Sequence, residues 1–249
     1  MVNKTAAAVV IVLAVAAGAF FFLRGKVPGM NLSGTSSTRT TGEFSFATPK
    51  KSLHWENNVP EHGAILAGVP VNVSINFNFD LGPGSEISIT KDSQEYGEGE
   101  TTIDENKLTL RRKMSPDSPD GKYAVNYKAC WPDGSCHDGM FEFAIDKTKA
   151  AEFTDLTGRD EVTISMENTS FNPRYIRVSR GTKVTWVNRE IAGHYVNTDP
   201  HAGHDYYPDL NSKLMGKGDT YSLTLETPGI YPYHCSAHAA VMTASILVE

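Results

Sequence analysis

The chain has 249 residues, a net charge of −6, and a composition that is 40% hydrophobic and 21% charged. This composition excludes wholesale disorder, and the length allows one large domain or two domains of about 100 residues each. The acidic balance argues against nucleic acid as a partner, because phosphate binding needs a basic surface. The 3 cysteines are too few for a disulfide-rich scaffold, and their odd number leaves one unpaired if the chain is exported.

The N-terminus contains an apolar run over residues 6–23, flanked by basic residues on both sides. Such a run is just long enough to cross a bilayer. No small-residue cleavage site follows it, so we predict an uncleaved signal anchor, a transmembrane helix, over residues 1–24. Residues 25–52 are rich in Gly, Ser and Thr and are expected to form a flexible linker. We therefore expect a single-pass protein of the cell membrane.

Alternation of apolar and polar residues indicates β-strands along the rest of the chain. The pattern covers 69–79, 108–110, 123–127, 140–145, 162–166, 175–178, 183–187, 221–225, 230–234 and 243–248. Short strands separated by turn residues predict an all-β fold with two β-sandwiches in tandem. The sandwiches are expected at 53–147 and 161–249, with a polar, aperiodic linker at 148–160.

A compact group of metal-ligating residues lies near the C-terminus, where Cys235, His238 and Met242 fall within ten residues of sequence, YHCSAHAAVM. A thiolate, an imidazole and a thioether form a soft, mixed ligand set that suits copper in its +1 and +2 states. Zinc prefers a tetrahedron of nitrogen and sulfur ligands, and calcium needs oxygen ligands. His194, which follows the strand ending in WVN, is the natural fourth ligand.

Residues 161–249 resemble the blue-copper cupredoxin family, of plastocyanin/azurin type. The resemblance rests on FNP, on VSRGTKVTWVN, on KGDTYSLTLETPGIYPYHC and on the Cys-x2-His-x3-Met ending. It implies an eight-stranded Greek-key sandwich with one type 1 copper near one end. It also implies that His194, Cys235 and His238 are the trigonal ligands, that Met242 is the weak axial ligand, and that His238 is the electron port.

A second group of histidines, His201 and His204, follows the first predicted ligand in NTDPHAGHDYYPD. With the neighbouring aspartates, this His-x2-His pair suits a second metal, or it belongs to a polar loop that shapes access to the copper. We favour the polar loop, because no strand or helix fixes the spacing. His234 precedes Cys235 on the same strand, and strand alternation points it to the opposite face, so we do not count it as a copper ligand.

Residues 54–146 resemble the periplasmic copper-resistance domain of CopC type. The resemblance rests on VPEHGAIL, on PVNVSINFNF and on GKYAVNYKACWPDGSCHDGMFEF. It implies a second Greek-key sandwich, and it places Asp133 on the family's copper-binding aspartate. Ser135 occupies the family's histidine position, the nearest imidazole is His137, and His54 is the only candidate for the remaining ligand. Two interpretations stay open: a rearranged second Cu(II) site of His54, Asp133 and His137, or a domain that keeps the fold without the metal, which we favour slightly.

The remaining cysteines, Cys130 and Cys136, bracket the loop that would hold those ligands. In an oxidising compartment we expect them to form a disulfide that closes this loop. The alternative is that both are thiolate copper ligands. The disulfide would leave Cys235 free for copper.

The leading functional hypothesis is a membrane-anchored, extracytoplasmic copper protein that transfers one electron at a time to or from a redox partner protein. The alternative is a copper-handling protein that exchanges copper with a donor or acceptor protein, for copper resistance or for delivery to a copper enzyme. We expect no enzymatic activity, because a single blue-copper site does not by itself reduce oxygen or nitrite and the chain lacks the His-x-His pairs of a coupled copper cluster.

Overall fold

The structure is a computed structural model that describes residues 44–249. The anchor predicted over 1–24 and most of the linker predicted over 25–52 lie outside the described residues. No helix within residues 44–249 is long and apolar enough to span a membrane. Regular structure in this part of the chain consists of β-strands and two short 3-10 helices, so the all-β prediction is confirmed.

The first sandwich has two sheets that enclose a core of aliphatic and aromatic side chains, among them Ile75, Phe77 and Phe141. One sheet has the order β1 (Trp55–Val59), β3 (Asn72–Phe77), β7 (Thr109–Met114), β6 (Gly97–Ile103). The other has the order β2 (Ile65–Leu66), β9 (Cys136–Ile145), β8 (Gly121–Cys130), β4 (Glu86–Lys91), β5 (Gln94–Glu95).

The second sandwich encloses a separate core around Trp186, Phe171 and Tyr233. One sheet has the order β10 (Thr154–Asp155), β13 (Tyr175–Val178), β18 (Thr243–Val248), β17 (Gly229–His234), β15 (Asn197–Thr198). The other has the order β12 (Ser170–Asn172), β11 (Glu161–Glu167), β14 (Lys183–Asn188), β16 (Thr220–Thr224).

The segment between the sandwiches is more ordered than the linker expected at 148–160. A 3-10 helix, η1 (Lys147–Glu152), begins after Asp146, whose side chain accepts a hydrogen bond from the Thr148 amide. The short strand β10 then pairs in parallel with β13, and Arg177 forms an ion pair with Asp155. Polar, aperiodic residues therefore form regular structure here because capping and an edge pairing satisfy their backbone groups.

Backbone groups of the two sandwiches are linked next to Gly229, both directly and through the Tyr206 hydroxyl. The Ile230 amide in β17 donates to the Val69 carbonyl oxygen at 2.8 Å, and the Val71 amide donates to the Tyr206 hydroxyl at 2.8 Å. The Tyr206 hydroxyl in turn donates to the Ile230 carbonyl oxygen at 2.9 Å. Gly229 (φ +140°) allows this close approach, because a Cβ there would lie 2.8 Å from the Val69 carbonyl oxygen.

Strand β3 is buried on both faces, although its alternating sequence predicts a half-buried strand. Val73, Ile75 and Phe77 point into the core of the first sandwich, as the pattern predicts. On the other face, the Asn72 side chain donates to the Tyr206 carbonyl oxygen at 3.1 Å, and the Asn76 side chain donates to an Asp205 carboxylate oxygen at 3.3 Å. A loop of the second sandwich, residues 199–212, thus covers the polar face of β3.

Candidate metal centre

The ends of three structural elements bring the predicted copper ligands together. His194 lies in the loop between β14 and β15, where its amide and carbonyl pair with Met215. Cys235 follows directly after β17, and the 3-10 helix η2 (Ser236–His238) returns the chain so that the His238 amide donates to the Cys235 carbonyl oxygen at 2.8 Å. Both His194 and Cys235 are fully buried.

The sulfur of Cys235 faces one nitrogen of each predicted histidine ligand. Its Sγ lies 3.5 Å from His194 Nδ1 and 3.6 Å from His238 Nδ1. Sulfur and nitrogen bound to one metal at ordinary bond lengths and near-tetrahedral angles lie about 3.6 Å apart. The three ligand atoms therefore have the spacing that a single shared metal ion requires.

His194 is oriented by a carboxylate that sequence analysis missed. Its Nε2 lies 2.5 Å from the Glu190 carboxylate, so the Nε2 proton points to Glu190 and the Nδ1 lone pair faces the sulfur. Burial opposes ionisation of Glu190, but hydrogen bonds from the Thr169 amide, His194 and the Asn168 amide lower its pKa below the usual value. The Glu-x3-His spacing in NREIAGH is the sequence signal that could have found this pair.

Met242 is buried at the base of the same loop. Its carbonyl oxygen accepts a hydrogen bond from the Cys235 amide at 2.9 Å, and its amide donates to the His238 carbonyl oxygen at 2.9 Å. The Tyr195 amide lies 3.3 Å from the Cys235 sulfur, where it donates toward a thiolate. The backbone thus closes the loop that holds Cys235, His238 and Met242.

The predicted site of the first sandwich is not assembled in this way. Among residues 44–249, His54, Asp133 and His137 are not one of the groups of three whose ligand atoms lie within 4.8 Å of one another. His54 Nδ1 is 2.9 Å from the Asn78 side-chain oxygen, and the His54 ring packs edge-on against Trp131. His137 also lies against Trp131, with ring centroids 6.3 Å apart.

Asp133 is engaged by its own turn. The Ser135 hydroxyl and amide donate to one of its carboxylate oxygens at 2.6 and 2.9 Å, and these bonds lower the pKa of Asp133. Cys130 and Cys136 are directly opposed in the β8–β9 hairpin and form the expected disulfide around this turn. The alternative in which both are thiolate copper ligands is therefore wrong for this structure, and Cys235 is the free cysteine.

Comparison with known proteins gives matches for both sandwiches. The model of the copper-binding plastocyanin/azurin family matches residues 159–249, and the CopC domain model matches residues 55–146. Amicyanin-alpha of Methylorubrum extorquens is 30% identical over 37% of this chain and 73% of its own length. The chain belongs to the plastocyanin/azurin family of copper-binding proteins. Copper is accordingly its cofactor.

Two further relatives are similar to part of this chain. Plastocyanin of Prochlorothrix hollandica is 35% identical over 32% of this chain, and halocyanin of Natronomonas pharaonis is 32% identical over 39% of it. The chain spans 63% of that plastocyanin and 62% of that halocyanin. The buried thiol and the two facing imidazoles described above fit copper, because copper accepts both thiolate and imidazole ligands.

A second group of imidazole nitrogens lies on the side of β17 opposite to Cys235. His234 points away from Cys235, as strand alternation predicts, and its Nε2 lies 3.2 Å from His201 Nδ1 and 3.2 Å from His204 Nε2. The ligand atoms of all three histidines lie within 4.8 Å of one another. Burial, together with His234 and His201, lowers the pKa of His204. Sequence analysis considered His201 and His204 but did not connect them with His234.

Proposed function

We propose that this protein is a membrane-anchored, extracytoplasmic electron carrier that holds one type 1 copper between His194, Cys235, His238 and Met242. The observation that supports this proposal most directly is the convergence of the Cys235 sulfur and two imidazole Nδ1 atoms at 3.5 and 3.6 Å. Copper bound there supplies a one-electron couple between its +1 and +2 states. The family implies a Greek-key connection of the strands.

The protein's own groups keep the ligands in one arrangement. Cys235 and His194 are buried, Glu190 fixes the orientation and the tautomer of His194, and the amide of Tyr195 stabilises a thiolate on Cys235. The ligand loop is closed by the two backbone hydrogen bonds of Met242. Because these groups are already held before an electron arrives, little rearrangement accompanies a change in charge, which favours fast electron transfer.

The surface around His238 suits transient contact with a redox partner protein. His238 is only partly buried, unlike His194, Cys235 and Met242. Two large apolar side chains lie exposed on the ligand loops, Ile191 at 87% and Val241 at 68% of full exposure, and Leu214, at 58%, lies next to Met215, which pairs with His194. Apolar residues gathered at one place on a surface are typical of interaction sites. We therefore place the electron port at His238, within this apolar rim.

The extracytoplasmic location of the proposal has two supports. The disulfide between Cys130 and Cys136 is of the kind that persists in oxidising compartments. The apolar run over residues 6–23 has the length of a membrane span. Together they favour a protein attached to the cell membrane, with both sandwiches in the periplasm or at the cell surface.

The electron-carrier proposal is tested by the colour of the copper-loaded full chain. Thiolate-to-copper charge transfer should give intense visible absorption, and Cys235→Ala should abolish it. His137→Ala is the matched control, because His137 belongs to the first sandwich, and it should leave the absorption unchanged. A copper-loaded chain without intense visible absorption, or a Cys235→Ala variant that keeps it, would contradict the proposal.

The second candidate function is copper handling, which the match of residues 55–146 to the CopC domain favours. His54 and His137 pack against the same Trp131 ring, with centroids 5.1 and 6.3 Å from it. Titration of Cu(II) into the full chain carrying Cys235→Ala tests this candidate. Residual tight binding that is lost on His137→Ala supports copper handling by the first sandwich, and binding that is unchanged by His137→Ala contradicts it.

A further inference from the structure

Three imidazoles converge on the face of β17 opposite to Cys235. His234 Nε2 lies 3.2 Å from His201 Nδ1 and 3.2 Å from His204 Nε2. Two nitrogens bound to one metal at tetrahedral angles lie about 3.3 Å apart, given bond lengths of about 2.0–2.1 Å. The observed spacing therefore matches that of nitrogen ligands around a single ion.

The proton positions of His234 are set by Asp199. The His234 Nδ1 lies 2.7 Å from an Asp199 carboxylate oxygen, so Nδ1 carries the proton and Nε2 presents its lone pair to the other two histidines. An imidazole whose second nitrogen donates to a carboxylate is the usual arrangement of a metal-bound histidine. Asp199 therefore supplies the supporting contact that such a site needs.

Hydrogen bonding alone does not account for the convergence. His234 Nε2 offers a single lone pair, yet it faces two ring nitrogens at the same distance of 3.2 Å. His204 Nε2 is also 2.9 Å from the Ser236 hydroxyl, which donates to the Asn197 side-chain oxygen at 2.9 Å. Without a metal, His204 Nε2 therefore donates to Ser236, and metal binding requires the other neutral tautomer, with the proton on Nδ1.

The loop that contains His201 and His204 is held in place by the first sandwich. Asp205 accepts hydrogen bonds from Asn76 and from the Thr109 hydroxyl, which is 3.0 Å away. Arg111 donates to the backbone carbonyl oxygens of Asp205 and Tyr206. These contacts immediately follow His204, so they restrict the positions of its ring and of the preceding turn. The spacing of His201 and His204 in the sequence did not by itself indicate that their loop is held in one position.

The histidine group lies beside a cavity of about 680 Å³ that is lined by residues of both sandwiches. His201 and His234 line it, together with Asp199, His62 and Met140. Two of the three imidazoles, those of His201 and His234, are therefore reached from the cavity. Three protein nitrogens with an open fourth position are a common arrangement for zinc and are compatible with copper.

We propose that His201, His204 and His234 form a second metal site, distinct from the site at Cys235, that binds Cu(II) or Zn(II). The donor set is all-imidazole, which suits divalent copper and zinc and lacks the oxygen ligands that calcium or magnesium need. Cu(II) is expected to bind more tightly than Zn(II), in keeping with the general order of affinities for divalent metals. The proposal does not depend on which metal Cys235 binds.

The test is a count of bound metal in the full chain, purified in detergent and titrated with Zn(II) or Cu(II) alone against a chromophoric chelator. The variant with both His201→Gln and His204→Gln should bind one equivalent fewer than the unmodified chain. The matched control combines His54→Gln with His137→Gln, and it should still bind the equivalent of metal that the first variant loses. In the Cu(II) titration, electron paramagnetic resonance should show that the lost equivalent has nitrogen ligands and no thiolate.

Two further variants keep the test decisive if the double variant fails to fold. His201 is exposed, so His201→Gln should fold normally and should weaken binding of the second equivalent at least tenfold. Asp199→Asn should weaken it by about 10–100-fold, as is typical when a carboxylate that supports a metal-bound histidine is removed. Equal metal content and equal affinity in the unmodified chain, His201→Gln and Asp199→Asn would overturn the proposal.

Discussion

Replacing Tyr206 by phenylalanine removes one oxygen atom from the junction between the two sandwiches. The Tyr206 side chain is fully buried, and its hydroxyl both accepts from the Val71 amide at 2.8 Å and donates to the Ile230 carbonyl oxygen at 2.9 Å. Burial is also the main reason why the pKa of this hydroxyl is raised, so it remains a neutral donor. The substitution keeps the ring and its packing, and leaves both backbone groups without this partner.

The expected loss of stability follows from the two backbone groups that lose their partner, the Val71 amide and the Ile230 carbonyl oxygen. A buried donor left without its partner costs about 1–3 kcal/mol, and the loss of an ordinary hydrogen bond costs about 0.5–1.5 kcal/mol. Tyr206→Phe should therefore lower the free energy of unfolding by about 2–4 kcal/mol. For a chain of this size, each kcal/mol corresponds to about 2–4 °C in Tm.

The assay is equilibrium denaturation in urea, supported by the Tm from circular dichroism. Tyr233→Phe is the matched control, because the Tyr233 hydroxyl is equally buried but forms no well-aligned hydrogen bond among the described residues and only approaches the Trp186 side chain. Removing an unpaired buried hydroxyl should leave stability unchanged or raise it. Equal losses of stability in Tyr206→Phe and Tyr233→Phe would refute the reasoning, since they would show that the hydrogen bonds at the junction contribute nothing.

Two other outcomes are expected. The pKa of Glu190 is lower in the folded protein than its ordinary value of 4.5, so its ionised form stabilises the fold above pH 4.5. This stabilisation is lost as the pH falls through the lower pKa of the folded protein. Glu190→Gln should therefore flatten the dependence of Tm on pH below about pH 4.5, and an unchanged acid profile would count against the contact with His194. Thiol titration of the unreduced, metal-free, denatured chain should find one free thiol, that of Cys235, and finding three would contradict the bond between Cys130 and Cys136.

Much of the fold was predictable because alternation is a local property of each strand. The strands β8, β9, β11, β13, β14, β17 and β18 all lie where the apolar pattern predicts them. The strand β6 was missed because its sequence, GEGETTI, is largely exposed and has no apolar alternation. The strand β10 was missed for a different reason, since its two residues are ordered only by pairing with β13.

The site was predictable where its residues are close in sequence. Cys235, His238 and Met242 lie in one loop, so the spacing itself indicates a common ligand set. The histidine pair His201 and His204 lacked such support, because the residues that order their loop belong to the other sandwich. Asn76, Thr109 and Arg111 hold that loop through contacts with Asp205 and Tyr206. No pattern within the loop indicates those contacts.

Burial of the polar face of β3 escaped prediction for the same reason, because the covering residues belong to the other sandwich. Asn72 and Asn76 alternate with core residues, so the sequence predicts them at the solvent. They are buried instead, because their side-chain amides satisfy the backbone and carboxylate oxygens of the loop at Asp205 and Tyr206. A polar strand face that is rich in asparagine thus serves as a docking surface inside the chain, which alternation cannot distinguish from a surface exposed to water.

Strand β17 separates two sets of candidate metal ligands that differ in chemistry. At its end, Cys235 points to a buried position with two imidazoles. His234 points to the opposite side, where it meets two further imidazoles and, with His201, borders a cavity. Sulfur on one side favours a metal that is stable in the +1 state, and an all-nitrogen set on the other favours a divalent ion. The first sandwich orders the loop of the second set through its contacts with Asp205 and Tyr206. In the proposed second site, the first sandwich would contribute by positioning His201 and His204, with no copper ion needed at His54 and His137.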